Sequence, residues 1–335
     1  MPARILQRIG PLAGLADLLH VYGVAPADVA RRSGITFRVE SLAPDDVLPL
    51  ELALLLLDNA VVMTGDDLLP VKLGERYRWH HHGVIHPYVA AAPTLGRALL
   101  DICELQRLYA NGTVIYLHRL GEDYALGFGV YAGMQHAVRH LYSMCARVGQ
   151  NFIVDLTAGA ARPLEIMFPF PEPDNQIRFR QGWAQPVYFN QNQCCLVLTA
   201  RMLAMELPGA NPGLRASMLE DLMQKSVLAM GYSDRVRRMV RPQLLGEDPS
   251  MEGMAAVLNV HPRTLRRALA AEGTSFETIR DEVRNHIAKE MLATTQLSIG
   301  EISAVIAFAS HAAFVRAFQR WNGVTPSAWR AERSA

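Results

Sequence analysis

Two periods of apolar positions divide the chain. Up to about residue 207 the pattern is mixed. Apolar residues at helical spacing predict helices over residues 51–63 and 94–109, and short alternating or apolar runs at 113–120, 124–130 and 164–168 predict strands. Residues 169–175, PFPEPDN, read as a loop, because three prolines fix φ and remove backbone donors. The texture changes at Pro208, Gly209, Asn211, Pro212 and Gly213, a dense turn signal after which only helical periodicity remains. A second break falls at residues 246–249. The expectation is an α+β N-terminal effector domain over residues 1–207, a linker and amphipathic helix over 208–232, and an all-α C-terminal domain over 233–335.

In the linker, Leu214, Met218 and Leu222 form one stripe, with Leu219, Met223 and Val227 alongside. Such a stripe either packs on its own domain or forms a seam with a second copy.

Beyond residue 250 the pattern becomes specific. Ser250 is placed to cap a helix over 251–258, Asn259 to take a left-handed turn, and Pro262 to open a second helix at the position where proline is tolerated. On that second helix Leu265 and Leu269 share one face and are expected to bury against Ala255 and Leu258, leaving Arg263, Thr264, Arg266 and Arg267 facing outward. Arginine can bridge guanine O6 and N7 or grip phosphate, so this face suits a DNA major groove; taken alone it is equally a solvated basic face. The arrangement then repeats. Thr274 and Glu277 have the spacing of a capping box opening a long helix to about Thr294, and Ser298 and Glu301 that of another opening a short helix. After a turn at 307–309, Ser310 caps a final helix on which Phe314 and Phe318 are the buried stripe and His311, Ala312, Val315, Arg316 and Gln319 the outward candidates. A linking helix of about twenty residues spans about 30 Å. That is close to the roughly 34 Å between major-groove segments on one face of DNA. Two helix-turn-helix motifs joined by a long helix are therefore expected to engage successive turns.

Residues 250–330 resemble the DNA-binding domain of the AraC/XylS family. The strongest likeness is AFVRAFQRWNGVTPSAWR at 313–330, similar to that family's signature of an aromatic-x-Arg-x-Phe helix followed by Gly-Val-Ser/Thr-Pro and a closing aromatic-Arg pair. The resemblance implies base contacts at Arg263, Arg266, Arg267, His311, Ala312, Val315 and Arg316. Two positions depart from the family's habit. Ala307 stands where Gly is usual, at a cost of about 1 kcal/mol or more if its φ is positive, and His261 stands where a serine cap is frequent. Ala312, Ala313 and Val315 are suited to thymine methyl groups rather than to hydrogen bonds, so the first unit is expected to carry more of the specificity.

The N-terminal region resembles, more loosely, the arabinose-binding type of AraC effector domain, through the Gly83 region, Ala92-Pro93-Thr94-Leu95-Gly96 and Gln185-Pro186-Val187-Tyr188-Phe189. The family name does not make arabinose the ligand; a fatty acid, an amino acid and an aromatic acid all remain open. The run Trp79-His80-His81-His82, with His86, suggests a metal, a pocket or a solvated surface. Adjacent histidines on a strand point to opposite faces, so at most two of them converge; a structural or solvated role is the leading reading, and a pocket role is favoured over zinc. The candidate effector residues are His80, His82, His86, Tyr109 and Tyr131; Trp183 and Tyr116 are further cavity candidates.

Composition then narrows the classes. The chain has 335 residues, half of them apolar and 19% charged, as for a globular protein of two domains. Its formal net charge of +1 disfavours indiscriminate binding of nucleic acid, and the basic residues cluster instead, at Arg235, Arg237, Arg238 and Arg241 and at Arg263, Arg266 and Arg267. The longest apolar run, residues 52–57, is far short of a membrane span, and the first residues lack the apolar core of a signal peptide, which points to the cytoplasm. Four cysteines without Cys-x-x-Cys spacing indicate neither a disulfide framework nor a zinc site. No Gly-x-Ser-x-Gly, phosphate-loop or His-Glu-x-x-His pattern is present, so neither enzyme nor cofactor is expected. The reading is a regulator that binds promoter half-sites in double-stranded DNA, responds to a small-molecule effector, forms a homodimer and activates through RNA polymerase; the alternatives are a ligand-independent or repressor-type DNA-binding protein and, last, an enzyme with an unrecognised site.

Overall fold

The computed structural model describes residues 6–106, 112–130, 138–173, 176–227, 231–245 and 248–334. Tyr109 and Tyr131 lie outside the described residues. The chain forms two compact units, Met1–Leu222 and Met223–Ala335.

The first unit combines helices with a five-stranded sheet. Strands β1 (Leu6–Arg8) and β2 (Val47–Pro49) pair as a small antiparallel ribbon, with α1 (Leu15–Val21) and α2 (Pro26–Arg32) between them. Then follow α3 (Leu50–Thr64), α4 (Leu69–Arg76), α5 (His86–Ala90) and α6 (Leu95–Leu105). The main sheet contains β3 (Thr113–Leu120), β4 (Asp123–Val130), β5 (Glu165–Met167), β6 (Val187–Tyr188) and β7 (Cys194–Leu198), in the order β3-β4-β7-β5-β6. All neighbours are antiparallel except β5 and β6. Helices α7 (Arg139–Leu156), α8 (Gln176–Gln181) and α9 (Ala200–Leu203) complete the layer, and α10 (Pro212–Val227) runs across the boundary between the units.

The period-2 pattern explains the sheet. Leu126, Phe128 and Val130 of β4 join the main core, whereas Ala125 of the opposite face packs with Cys195 and Val197. Gly149 of α7 permits close approach to the sheet, since a Cβ there would lie 2.8 Å from the Phe128 ring. Burial pushes the thiols of Cys145 and Cys195 up to about 12, far from reactive thiolates. No helix among the described residues is long and apolar enough to cross a membrane.

The second unit is helical throughout: α11 (Tyr232–Leu244), α12 (Met251–Val257), α13 (Pro262–Ala271), α14 (Phe276–Thr294), α15 (Ile299–Val305), α16 (His311–Asn322) and α17 (Pro326–Ser334). The long α14 is its spine, packed by α11 on one side and by α15 and α17 on another, around Val236, Ile279, Val283, Ile287, Ile302 and Phe318.

Two details differ from the sequence expectation. The cap of α14 is Ser275, whose hydroxyl accepts from Thr278 N at 3.1 Å, and not the Thr274–Glu277 pair, because the extended residue that turns into the helix is Ser275. The linker stripe is divided: Met218 and Leu222 pack on the core of the first unit, while Leu214 and Leu219 are each 42% exposed. A single i, i+4, i+8 row winds slowly around a helix, so its ends need not share one environment.

Candidate nucleic-acid interface and effector cavity

Each helix-turn-helix is built by local hydrogen bonds. In the first, Ser250 accepts from Gly253 N at 3.0 Å to start α12, and Asn259 turns the chain at φ 54°. Val260 N then bonds Ala255 O at 3.0 Å, and His261 Nδ1 accepts from Arg263 N at 3.2 Å to start α13. Imidazole thus does the work of the serine usual at that position. In the second, Ser298 and Glu301 form a reciprocal capping box at the start of α15, each side chain accepting from the other's backbone N–H, Ala307 takes φ 56°, and Phe308 N bonds Ser303 O at 3.0 Å. Ser310 then accepts from Ala313 N at 3.2 Å to start α16. The strain foreseen at Ala307 is therefore present, and the second turn is one residue longer between its left-handed residue and the next cap.

A group outside the sequence reading holds the strained turn. Arg284, buried on α14, donates to Ile306 O at 3.1 Å and Ala307 O at 2.7 Å, bonds Asp248 at 2.8 Å, and lies 4.7 Å from the Phe308 ring centre. Burial lowers its pKa, partly offset by Asp248. The signal was legible in principle: Arg284 occupies a position of the apolar stripe that includes Ile287 and Met291.

Leu265 and Leu269 of α13 are fully buried, as is Ala255, whereas Leu258 is only half-buried. Arg263, Thr264, Arg266 and Arg267 are exposed. On α16, Phe314 and Phe318 are buried, His311, Ala312, Arg316 and Gln319 are exposed, and Val315 is half-buried. The ion pairs separate the arginines into two sets. Arg237 pairs with Asp234 and Glu282, Arg241 with Glu290 at 2.7 Å, and Arg320 with Asp281 at 3.0 Å. Among the described residues, Arg263, Arg266, Arg267 and Arg316 have no carboxylate partner. Two members of the α11 cluster, Arg237 and Arg241, are thus bound up within the fold.

In the first unit, a cavity of about 120 Å³ lies between the sheet and α3, α6 and α7. Its walls are mostly apolar, including Leu54, Leu57, Ile102, Leu126, Phe128 and Phe152, with Arg8, Tyr77, His82, Gln106 and Thr113 as polar members. Burial, with Arg8 and His86 nearby, pushes His82 down to about 3, so its ring is neutral at ordinary pH. His80 and His86 do not line this cavity; they border a separate cleft with Arg78 and Asp155. The reason is local: residues 79–81 and 83–85 form tight 3-10 turns instead of the expected strand, so the rings follow a turn rather than alternate across a sheet. Tyr116 and Trp183 are also core: Tyr116 packs over Gly127, and Trp183 joins the rings of Phe168 and Phe179. Among the described residues no group of three or more His, Cys, Asp or Glu is disposed to hold a metal.

Comparison with known proteins agrees with this layout. Residues 23–207 match the arabinose-binding N-terminal domain of AraC transcription regulators, and residues 254–332 match a helix-turn-helix domain. An uncharacterized HTH-type transcriptional regulator of Mycobacterium bovis is 35% identical, over 97% of this chain and 96% of its own. The ornithine utilization regulator of Pseudomonas aeruginosa is 28% identical, over 81% of each chain. The solved structure of the transcriptional regulator CdpR from Pseudomonas aeruginosa, 24% identical, aligns over 96% of both chains with a TM-score of 0.47. These relatives are regulators rather than enzymes. The chain belongs to the AraC family of transcription regulators, with a DNA-binding helix-turn-helix domain behind an N-terminal ligand-binding domain.

Proposed function

We propose that the chain is an effector-controlled, dimeric activator that reads DNA through the outward faces of α13 and α16. The observation that carries this reading is the contrast among the arginines of the second unit: Arg263, Arg266, Arg267 and Arg316 are exposed and, among the described residues, lack carboxylate partners, while Arg237, Arg241, Arg284 and Arg320 are paired. A cation without an internal partner is available for guanine or phosphate. Arg263, Arg266 and Arg267 contact base edges or phosphate in one groove segment, with Thr264 beside them. His311, Ala312, Val315, Arg316 and Gln319 face the next segment. Exposed Leu214 and Leu219 favour a second copy along α10, and activation through RNA polymerase follows the habit of the family. The name of the Pseudomonas relative points to ornithine, but at 28% identity the lining of the cavity is the better guide to this chain's effector.

Control by the effector runs through α6 in this reading. Leu99 and Ile102 line the cavity. Asp101, between them in sequence and 1% exposed, pairs with Arg215 of α10 at 2.5 Å. The Arg215 guanidinium also lies 4.0 Å from the Tyr88 ring centre. A ligand that shifts α6 thereby changes the hold on α10, provided it favours one arrangement energetically. The test is operator binding by the purified full chain, with the dimer checked by sedimentation at micromolar protein. Asp101→Asn is expected to leave intrinsic DNA affinity within a few-fold and to abolish its dependence on effector. A monomer both with and without DNA would remove the dimer.

A further inference from the structure

We propose that the cavity of the first unit takes a small, uncharged, largely apolar molecule, about the size of one benzene ring or a chain of about six carbons, bearing a single hydrogen-bonding group. This rests on the reading of the cavity as the effector site and names the class of ligand. Size is the first argument: the volume of about 120 Å³ is close to that of apolar cavities, about 150 Å³, that hold one benzene. The second is the lining, dominated by leucine, isoleucine and phenylalanine from α3, α6, α7 and β4.

The polar wall supplies the third argument, because Gln106, Thr113 and Arg8 are already engaged with one another or with neighbouring groups. Gln106 Nε2 donates to Thr113 O at 3.0 Å and Thr113 Oγ1 at 2.8 Å, while its Oε1 accepts from Ile115 N at 3.2 Å. Thr113 Oγ1 in turn donates to Gln7 Oε1 at 3.1 Å. Arg8 pairs with Asp45 and donates to Tyr77 Oη and His81 O, each at 2.9 Å. A sugar would bury several hydroxyls among groups that already have partners, which is costly. An amino acid such as ornithine needs anionic partners for its ammonium groups, and no aspartate or glutamate is among the described lining residues. A carboxylate meets only Arg8, whose charge Asp45 already balances. One hydroxyl or carbonyl can join the existing network at the Gln106–Thr113 edge.

Trp79 gives a reporter, since its ring centre lies 4.5 Å from that of the cavity residue Phe152. The experiment titrates the full chain with benzyl alcohol, 1-hexanol, L-arabinose and L-ornithine, following tryptophan emission and thermal unfolding. The two alcohols should give saturable emission changes and, at ten times half-saturation, raise the Tm of the first unit by about 4 °C. Arabinose and ornithine should do neither. Ala53→Leu, which fills the cavity from α3, should abolish the response to the alcohols. If that variant melts below the parent, Val148→Leu on α7 takes its place, with the same expectation. Alcohol responses that persist in the folded filled variant, absence of any saturable alcohol response, or saturable binding of arabinose or ornithine that the filled variant loses would each overturn the proposal. Operator affinity measured in the same samples separates the two readings: alcohol binding confined to the open cavity upholds the ligand class, and if operator affinity is then unmoved it is the effector role that fails.

Discussion

The two recognition helices, superimposed by their caps His261 and Ser310, use the same scaffold for different chemistry. Leu265 and Leu269 correspond to Phe314 and Phe318, all buried. On the outward side Arg263 corresponds to Ala312, Arg266 to Val315, and Arg267 to Arg316. The inward positions are interchangeable apolar residues because they answer only to packing. The outward ones differ because nothing in the fold constrains them, and the proposed division follows: α13 reads by hydrogen bonding, while α16 adds methyl contacts and a phosphate anchor.

The largest effect expected is on α13. Arg266→Ala combined with Arg267→Ala should lower operator affinity about a hundredfold or more, at about 1–3 kcal/mol for each well-made contact, with unfolding unchanged. Fluorescence anisotropy at fixed salt reads this, and a loss under threefold would break the comparison. Next is the strut beneath the second turn. Arg284→Ala removes charge-assisted bonds to two carbonyls and to Asp248, and should destabilise the second unit by about 2 kcal/mol, seen as a lower Tm in calorimetry. A smaller change is expected at Arg316→Ala, about 1 kcal/mol in affinity with the salt slope reduced by about one, and little change in sequence preference. An Arg316 substitution that altered base preference would move specificity to α16.

The smallest effect is a pH dependence of the second unit. Burial, with Lys289 and Arg241 nearby, pushes His286 of α14 down to about 4, below the usual value of about 6.5 for the unfolded chain. The unfolded state then binds the proton more readily, so stability is full above about pH 6.5 and is lost as pH falls towards 4. Between pH 7.5 and 6 the loss should be under about 1 kcal/mol. Chemical denaturation of the parent and of His286→Gln at both pH values tests this; equal slopes would show that His286 does not titrate in this way.

Much of the second unit was legible because its turns depend on local rules. Ser250, Asn259, Pro262, Ser298 and Ser310 each announce a cap or turn from a few neighbours, and the structure uses all five. The strands at 113–120, 124–130 and 164–168 were likewise visible as apolar runs. The cavity was not. It is assembled from β1, α3, α6, β3, β4 and α7, and no periodicity along the chain states which faces will meet. His80 and His86 were conspicuous only as neighbours in sequence, and the turns at 79–85 direct them away from the cavity. The pairing of Arg237 and Arg241 was hidden for the same reason, since their partners Glu282 and Glu290 lie far along the chain on α14.

The central claim, that the outward faces of α13 and α16 recognise specific DNA, is tested most directly by capturing and sequencing genomic fragments bound by the purified full chain at physiological salt, beside an Arg266→Ala, Arg316→Ala double variant. The account predicts discrete peaks for the parent, containing two major-groove segments about one helical turn apart with more sequence information in one of them, and loss of those peaks in the variant. The same peaks in the variant, with undiminished enrichment, would contradict it.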